Sequence, residues 1–225
     1  MTASAQTDAA GFYSFAGVQA GYTYALAPTG SAYTFSPQSV SFPGLNANQA
    51  ANFTGRPPAS TADVLALADL YVRGGSATSN FGTATQLITR LANQTKDTHE
   101  TYLRFNVGRP CTVAAVRLRL YGQVSSSGAI PVAVYAVPST TWTETGTNWN
   151  NRPAVGTLLR TVNVAGTAAA WYEWDVTDYV RGELAAGRGV VSFAFKSTNA
   201  TNYQVTFNSR EAAGTNAPRL AVTTP

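Results

Sequence analysis

The sequence predicts an all-β protein whose larger part is a jelly-roll-like antiparallel β-sandwich. Charged residues make up only 12% of its 225 residues and aromatic ones 11%, a balance that suits an extracellular β-module better than a helical cytosolic enzyme. Short segments of alternating apolar and polar residues recur between loops of glycine, asparagine and serine. About eight to ten such strands fit a sandwich of two sheets.

The chain divides into two predicted domains, residues 1–55 and 62–225, joined by the linker RPPAST at 56–61. Consecutive prolines stiffen a linker and do not pair in a sheet. The predicted strands are 12–18, 22–27, 33–35, 39–42 and 50–53 in the first domain, and 101–107, 116–121, 129–137, 158–164, 171–176, 190–196, 204–208 and 219–223 in the second. A helical turn is predicted at 177–184, with Thr177 or Asp178 as its N-cap.

The first domain contains DAAGFYSFAGVQAGYTYALAP, a run of short strands with glycine punctuation. It resembles the C-terminal part of a carboxypeptidase-regulatory-like or Ig-like repeat of bacterial surface proteins. Such a repeat opens with one or two further strands, so the resemblance implies a partial Ig-like β-domain with an open sheet edge. We expect this partial domain to be marginally stable alone, or to be completed by sequence outside this chain.

Three motifs of the second domain carry a further resemblance: TWTETGTNWNNRP at 141–153, WYEWDVTDYV at 171–180 and TFNSREA at 206–212. Together they resemble the DNRLRE-type β-sandwich, a group that includes a carbohydrate-binding module family acting on alginate-like acidic polysaccharides. The resemblance implies a secreted, non-catalytic module with a basic groove for its ligand. The hexapeptide of the family's name is absent, and ETYLRFNV and VRLRLY are its nearest counterparts.

The binding residues are predicted from strand alternation. In TYLRFNV, Tyr102 and Arg104 lie opposite the apolar side chains, and in VRLRLY the same holds for Arg117, Arg119 and Tyr121. If the two strands are neighbours, they form a plateau of guanidinium groups and phenol rings, which suits uronate carboxylates and sugar faces. The candidate carbohydrate-binding residues are Arg104, Arg117, Arg119, Tyr102, Tyr121, Arg73, Arg90 and Lys96. The alternative is a ladder of ion pairs with Glu100, Glu173, Asp175 or Glu211.

Catalysis is the weaker interpretation of the polar residues. His99 is the only histidine, and it falls in a polar stretch that predicts a solvated loop. Glu173 and Asp175 share a strand face about 7 Å apart, which fits pairing with arginines as well as it fits glycoside hydrolysis. An enzyme would need these three groups and Glu211 to converge in one cleft, and the chain is predicted not to be an enzyme.

The tryptophans and the late Arg210–Glu211 pair have structural interpretations. Trp142 and Trp149 are expected to plug an end of the sandwich rather than to bind sugar. Residues 171 and 174 are both tryptophan and alternate along one strand, so one should lie in the core and the other should be more exposed. Arg210 and Glu211 are expected to pair and to fix a loop.

Metal and disulfide chemistry have little support. The single cysteine, Cys111, excludes an intramolecular disulfide and is expected to be a small buried hydrophobe. One histidine and one cysteine cannot form a Cys/His metal cluster. No cofactor is predicted. A structural calcium remains open, with Asp63 and Asp69 as contributors, although no Asp-x-Asp-x-Asp loop is present.

Charge and hydropathy limit the partners. The 15 basic residues exceed the 11 acidic ones to give a net charge of +4, which permits an acidic polysaccharide ligand without requiring one. No basic cluster or motif indicates nucleic acid, and apolar runs such as 190–195 are too short for membrane insertion. MTASAQTDAA lacks signal-peptide features, so we expect a piece of a longer secreted or cell-surface protein whose other domains are its partners. A structural or adhesive module without a sugar site is the alternative function.

Overall fold

The chain divides into two compact units, Met1–Pro58 and Ala59–Pro225. The computed structural model describes residues 2–108 and 112–225. The predicted burial of Cys111 therefore concerns a residue that lies outside the described residues.

The first unit contains four short, mostly exposed strands. They are β1 (Tyr24–Leu26), β2 (Thr34–Ser36), β3 (Val40–Phe42) and β4 (Thr54–Arg56), and β1 pairs with β3 and β2 with β4, both antiparallel. The strand predicted over 12–18 was wrong. Gly11 and Gly17 have φ values of 81° and 69°, which turn the backbone at both limits of that segment. The Ig-like character of this unit stays a prediction.

In the second unit, the described residues form eleven strands and one α-helix. They are β5 (Ser60–Leu65), β6 (Ala68–Arg73), β7 (Gln86–Thr89), β8 (His99–Asn106), β9 (Ala115–Val124), β10 (Ala129–Ala136), β11 (Leu158–Ala165), β12 (Ala170–Asp175), α1 (Thr177–Ala185), β13 (Val190–Ser197), β14 (Val205–Asn208) and β15 (Arg219–Thr224). The predicted all-β class is confirmed. Strands β4 and β5 extend into the predicted linker from both sides and leave residues 57–59 between them.

The strands of the second unit form two antiparallel sheets. One has the order β11-β10-β13-β8-β6, and the other has the order β5-β15-β9-β14-β7, with β12 also paired to β9. The core lies between them, since Leu118 and Trp174 of the second sheet pack in one buried cluster with Phe193 and Phe195 of the first. This is the predicted jelly-roll-like sandwich.

A second apolar cluster lies on the outer face of the five-stranded sheet. Residues 137–157, here called the covering segment, bring Val137 and Trp142 against Leu70, Tyr102 and Ala194. The indole N–H of Trp142 donates to Ser192 Oγ at 2.7 Å. Trp142 is thus buried, as its structural interpretation requires, but it covers a sheet face rather than an end.

The helix begins without the predicted cap. Its N-cap is Val176, and no side chain caps it. Thr177 instead donates its N–H and its O–H to Asp175 Oδ1, at 3.0 and 2.6 Å. None of the helices in the described chain has the length and apolar character that a membrane crossing requires.

Candidate functional site

The structure separates the predicted binding residues, because β8 and β9 belong to different sheets. Tyr102 is 0% exposed, and its hydroxyl donates to Glu100 Oε2 at 2.9 Å. Arg104 donates to the carbonyls of Thr140 and Trp142 at 2.8 and 2.7 Å. The prediction that Tyr102 and Arg104 belong to one exposed plateau with the β9 residues was therefore wrong. The covering segment lies over the sheet face from which they project.

Arg73 and Arg90 lie on either side of His99. Arg73 belongs to the five-stranded sheet, and Arg90 lies beside that sheet. Arg73 is opposite His99 in the pairing of β6 with β8, and Arg90 forms a β-bridge with it. Their side chains contact Asp97 at 3.8 Å and the carbonyl of Thr201 at 3.1 Å, respectively. The nearby Lys96 is exposed. These three predicted residues therefore occupy a different part of the surface from β9.

His99 is not the solvated loop residue that the sequence predicted. It begins β8 and is 8% exposed. Its ring lies 5.8 Å from that of Tyr71, and Nδ1 is 3.1 Å from the carbonyl oxygen of Asp97. Burial lowers the pKa of His99, and the nearby arginines lower it further.

Arg117, Arg119 and Tyr121 project from the outer face of the six-stranded sheet, as predicted. The core residues of β9 are Val116, Leu118 and Leu120, so the alternate positions face away from the core. Strand β12 pairs with β9 so that each of the three has a partner side chain on the same face: Tyr121 with Trp171, Arg119 with Glu173 and Arg117 with Asp175.

The pairing produces an aromatic and basic surface centred on Trp171. The ring of Trp171 lies 5.5 Å from that of Tyr121, and the guanidinium carbons of Arg119 and Arg219 lie 5.0 and 4.7 Å from its centre. Trp171 is half-buried, whereas Trp174 is 0% exposed in the core. The Trp171 face comprises Trp171, Tyr121, Arg119, Glu173, Arg219 and Asp63.

Both cations of the Trp171 face already have a carboxylate partner. Arg119 pairs with Glu173 at 2.7 Å, and Arg219 pairs with Asp63 at 2.9 Å. The alternative of an ion-pair ladder is therefore realised here, together with the aromatic pair.

A groove of about 500 Å³ adjoins this face where β11, the end of β12 and the start of α1 meet. This groove, here called the Arg160 groove, is lined by Arg117, Leu158, Arg160, Asp175, Asp178 and Arg181. Arg117 pairs with Asp175 at 2.8 Å, and hydrogen bonds from Thr177 lower the pKa of Asp175. Within residues 2–108 and 112–225, Arg160 forms no ion pair with a carboxylate, and it is exposed. The sequence analysis did not single out Arg160 or Arg219 as binding residues. The position of Arg219 could have been predicted, because it alternates with the buried Leu220 and Val222 along β15 and so faces away from the core.

The carboxylates of Asp69, Glu144 and Glu211 form a separate cluster. Arg210 lies 3.5 Å from Glu211, as predicted, and 3.4 Å from Glu144. Asp63 does not join Asp69, since it pairs with Arg219 instead.

The groups that the enzymatic alternative requires lie in three places. Glu173 and Asp175 are on β12, Glu211 is in the carboxylate cluster, and His99 is in the other sheet. In the described structure they do not meet in one cleft.

A comparison with protein-family models identifies a carbohydrate-binding module. A sequence model of carbohydrate-binding module family 96 matches residues 60–224. Gellan lyase from Bacillus sp is 30% identical over 127 residues, which is 54% of this chain, and the chain spans 5% of the length of that relative. A solved structure, the K3 cleaved adhesin domain of Lys-gingipain from Porphyromonas gingivalis, is 10% identical with a TM-score of 0.37, over 74% of this chain and 100% of its own.

Proposed function

The chain belongs to carbohydrate-binding module family 96, and we propose that its second unit binds an acidic polysaccharide through the Trp171 face and the Arg160 groove, without chemistry of its own. The observation that carries this proposal is the half-exposed Trp171 beside Tyr121, on a sheet face that leads to the exposed Arg160. Aromatic rings stack on the apolar faces of sugars, and guanidinium groups bind carboxylates through paired hydrogen bonds.

The shape of this surface favours an extended chain as the ligand. Trp171 and Asp175 lie four residues apart on β12, about 13 Å along the strand. The aromatic pair is at one limit of this span, and the groove that contains Arg160 adjoins the other. A polysaccharide strand running along β12 would therefore contact the rings, with Arg119 and Arg219 beside Trp171, at one end and the cations of the Arg160 groove at the other.

The proposal that the ligand is acidic is based on the arginines of this surface. Arg160 has no carboxylate partner in the described chain, and Arg117 is about half exposed at 47% of its side chain. Because carboxylates nearly balance the other arginines, we expect a moderate electrostatic contribution that salt weakens. Uronate polymers such as alginate are the first class to test, and gellan, the polysaccharide in the name of the lyase relative, is the second.

In a parent protein, such a module would act by tethering. Binding to a polymer raises the effective concentration of an attached catalytic domain, or holds a cell at its substrate. The proposed location is therefore extracellular or at the cell surface, with other domains of the same parent chain as partners.

A structural or adhesive module is the second candidate, and one observation favours it. Arg117, Arg119 and Arg219 each pair with a carboxylate of a neighbouring strand. Such pairs hold β12 to β9 and β15 to β5 without a ligand, although exposed pairs contribute only about 0–1 kcal/mol each.

Isothermal titration calorimetry of the chain against alginate, gellan and a neutral glucan distinguishes the two candidates. We expect salt-sensitive binding to an acidic polymer, weakened about tenfold in Arg160→Gln because one charge-assisted contact is lost. Arg73→Gln is the matched control, since Arg73 lies on β6, at the opposite edge of the five-stranded sheet from the β11 strand that carries Arg160, and it should bind as the parent does. No binding to any of the polymers would favour the structural candidate. A loss in Arg73→Gln alone would move the site to the cations around His99, and equal losses in both variants would show a dependence on net charge without a defined site.

A further inference from the structure

Three carboxylates that are distant in the sequence converge in the second unit. One oxygen from each of Asp69, Glu144 and Glu211 lies within 4.8 Å of those of the other two. Oxygens that bind one Ca²⁺ at about 2.4 Å can lie at most about 4.8 Å apart. The spacing therefore permits a single ion in contact with all three.

Asp69 supplies a second, independent observation. It is 1% exposed, and although Oδ2 accepts the backbone N–H of Arg210 at 2.8 Å, Oδ1 has no hydrogen-bond partner in the described structure. An oxygen of its carboxyl group lies within 4.8 Å of an oxygen of Glu211. A buried carboxylate oxygen that faces another carboxylate needs a proton or a cation between them.

The neighbouring cation Arg210 does not satisfy the cluster. The guanidinium of Arg210 approaches Glu144 and Glu211 only to 3.4 and 3.5 Å, and its single charge leaves two of three negative charges uncompensated. A divalent ion carries the charge that is missing.

We infer that Asp69, Glu144 and Glu211 form a calcium site that ties β6, the covering segment and the loop before β15 together. The ligands are all oxygens, which calcium prefers, and water completes its shell of six to eight. Glu144 is held in place by Asn80, whose Nδ2 donates to the carbonyl of Glu144 at 2.6 Å. This site is structural and does not depend on the proposed sugar contacts.

The test uses the full chain stripped with EDTA and titrated with CaCl₂ while thermal unfolding is followed. At a calcium concentration about one hundred times the Kd, we expect Tm to rise by about 5–10 °C, with a smaller rise in MgCl₂. Tb³⁺ should show luminescence sensitised by the tryptophans of the covering segment, and excess calcium should abolish it.

Glu211→Gln is the decisive variant, because Glu211 is partly exposed and the fold should survive its loss. It should remove most of the calcium shift and the Tb³⁺ signal. Glu183→Gln is the control. Glu183 lies on α1, away from the cluster, and pairs with Arg188 just after the helix, so this variant should keep the calcium shift and the Tb³⁺ signal. Absence of a calcium shift and of Tb³⁺ binding in the parent chain, with Asp69→Asn more stable in EDTA, would show a shared proton and overturn the inference.

Discussion

Arg219 and Trp171 meet across an intervening strand. They lie on β15 and β12, which pair with opposite edges of β9, yet the Arg219 guanidinium carbon is 4.7 Å from the centre of the Trp171 ring. The contact orients the indole over β9, while Arg219 is itself held by Asp63 at 2.9 Å. The aromatic centre of the proposed binding surface is thus positioned by three strands.

Trp171→Ala should therefore weaken polysaccharide binding about tenfold, since stacking on a ring contributes about 1 kcal/mol beyond the area that it buries. The melting temperature should fall only slightly, because the side chain is half-buried and lies outside the core. Calorimetry and thermal unfolding measure the two effects. Tyr203→Ala removes a ring that is 51% exposed elsewhere and should leave the affinity unchanged. Equal affinity for the two variants would exclude a role of Trp171 in binding.

Trp142→Ala should destabilise the second unit by about 3–5 kcal/mol, since it removes a buried indole that covers the outer face of the five-stranded sheet. Ser192→Ala removes the acceptor of the indole N–H and a donor to the carbonyl of Leu103 at 3.4 Å, and it should cost about 1–2 kcal/mol. Urea unfolding measures both. A loss in Trp142→Ala no greater than in Ser192→Ala would show that the covering segment contributes little to stability.

Eight of the eleven strands in the described part of the second unit, β8 to β15, and the outward parity of β9 could be predicted because alternation is a local property of the sequence. Strands β5, β6 and β7 were not predicted. Alternation correctly placed Arg117, Arg119 and Tyr121 on a solvent-facing sheet surface. The same reasoning was wrong for Tyr102 and Arg104, because their exposure depends on a segment about forty residues later in the chain that folds over them.

The rest of the candidate site depends on which strands become neighbours. Arg160 and Arg219 join it from β11 and β15, and the carboxylate cluster draws on three segments. No periodicity reports such pairings, since topology is set by packing of the whole core. Only the parity of Trp171 and Trp174 indicated that one indole of the WYEW motif would leave the core.

Glu100→Gln should destabilise the second unit by about 3 kcal/mol. The Glu100 side chain is only 8% exposed and pairs with Arg152 at 3.0 Å and with Lys196 at 2.9 Å, so its neutralisation takes the carboxylate partner from two partly buried cations. Asp97→Asn breaks a longer, more exposed pair at 3.8 Å and should cost less than about 1 kcal/mol. Urea unfolding at pH 7 checks the difference, and similar losses in both variants would contradict it.

Asp175 should make stability depend on pH in the acid range. The hydroxyl and the N–H of Thr177, and then Arg117, hold the pKa of Asp175 below its ordinary value of 3.8. A depressed folded-state pKa stabilises the fold above the unfolded-state pKa, and this contribution is lost as the pH falls through the folded-state value. Because the carboxylate is 40% exposed, solvent screening limits the contribution to about 1 kcal/mol or less.

Asp175→Asn should therefore be less stable than the parent chain at pH 7, and the difference should shrink as the pH is lowered from about 4 to 2. Urea unfolding at several pH values measures this convergence. Thr177→Ser keeps the hydroxyl donor and should follow the parent curve. A constant difference between Asp175→Asn and the parent across that range would show that the hydrogen bonds from Thr177 do not favour the charged carboxylate, and that residue 175 matters only through its shape.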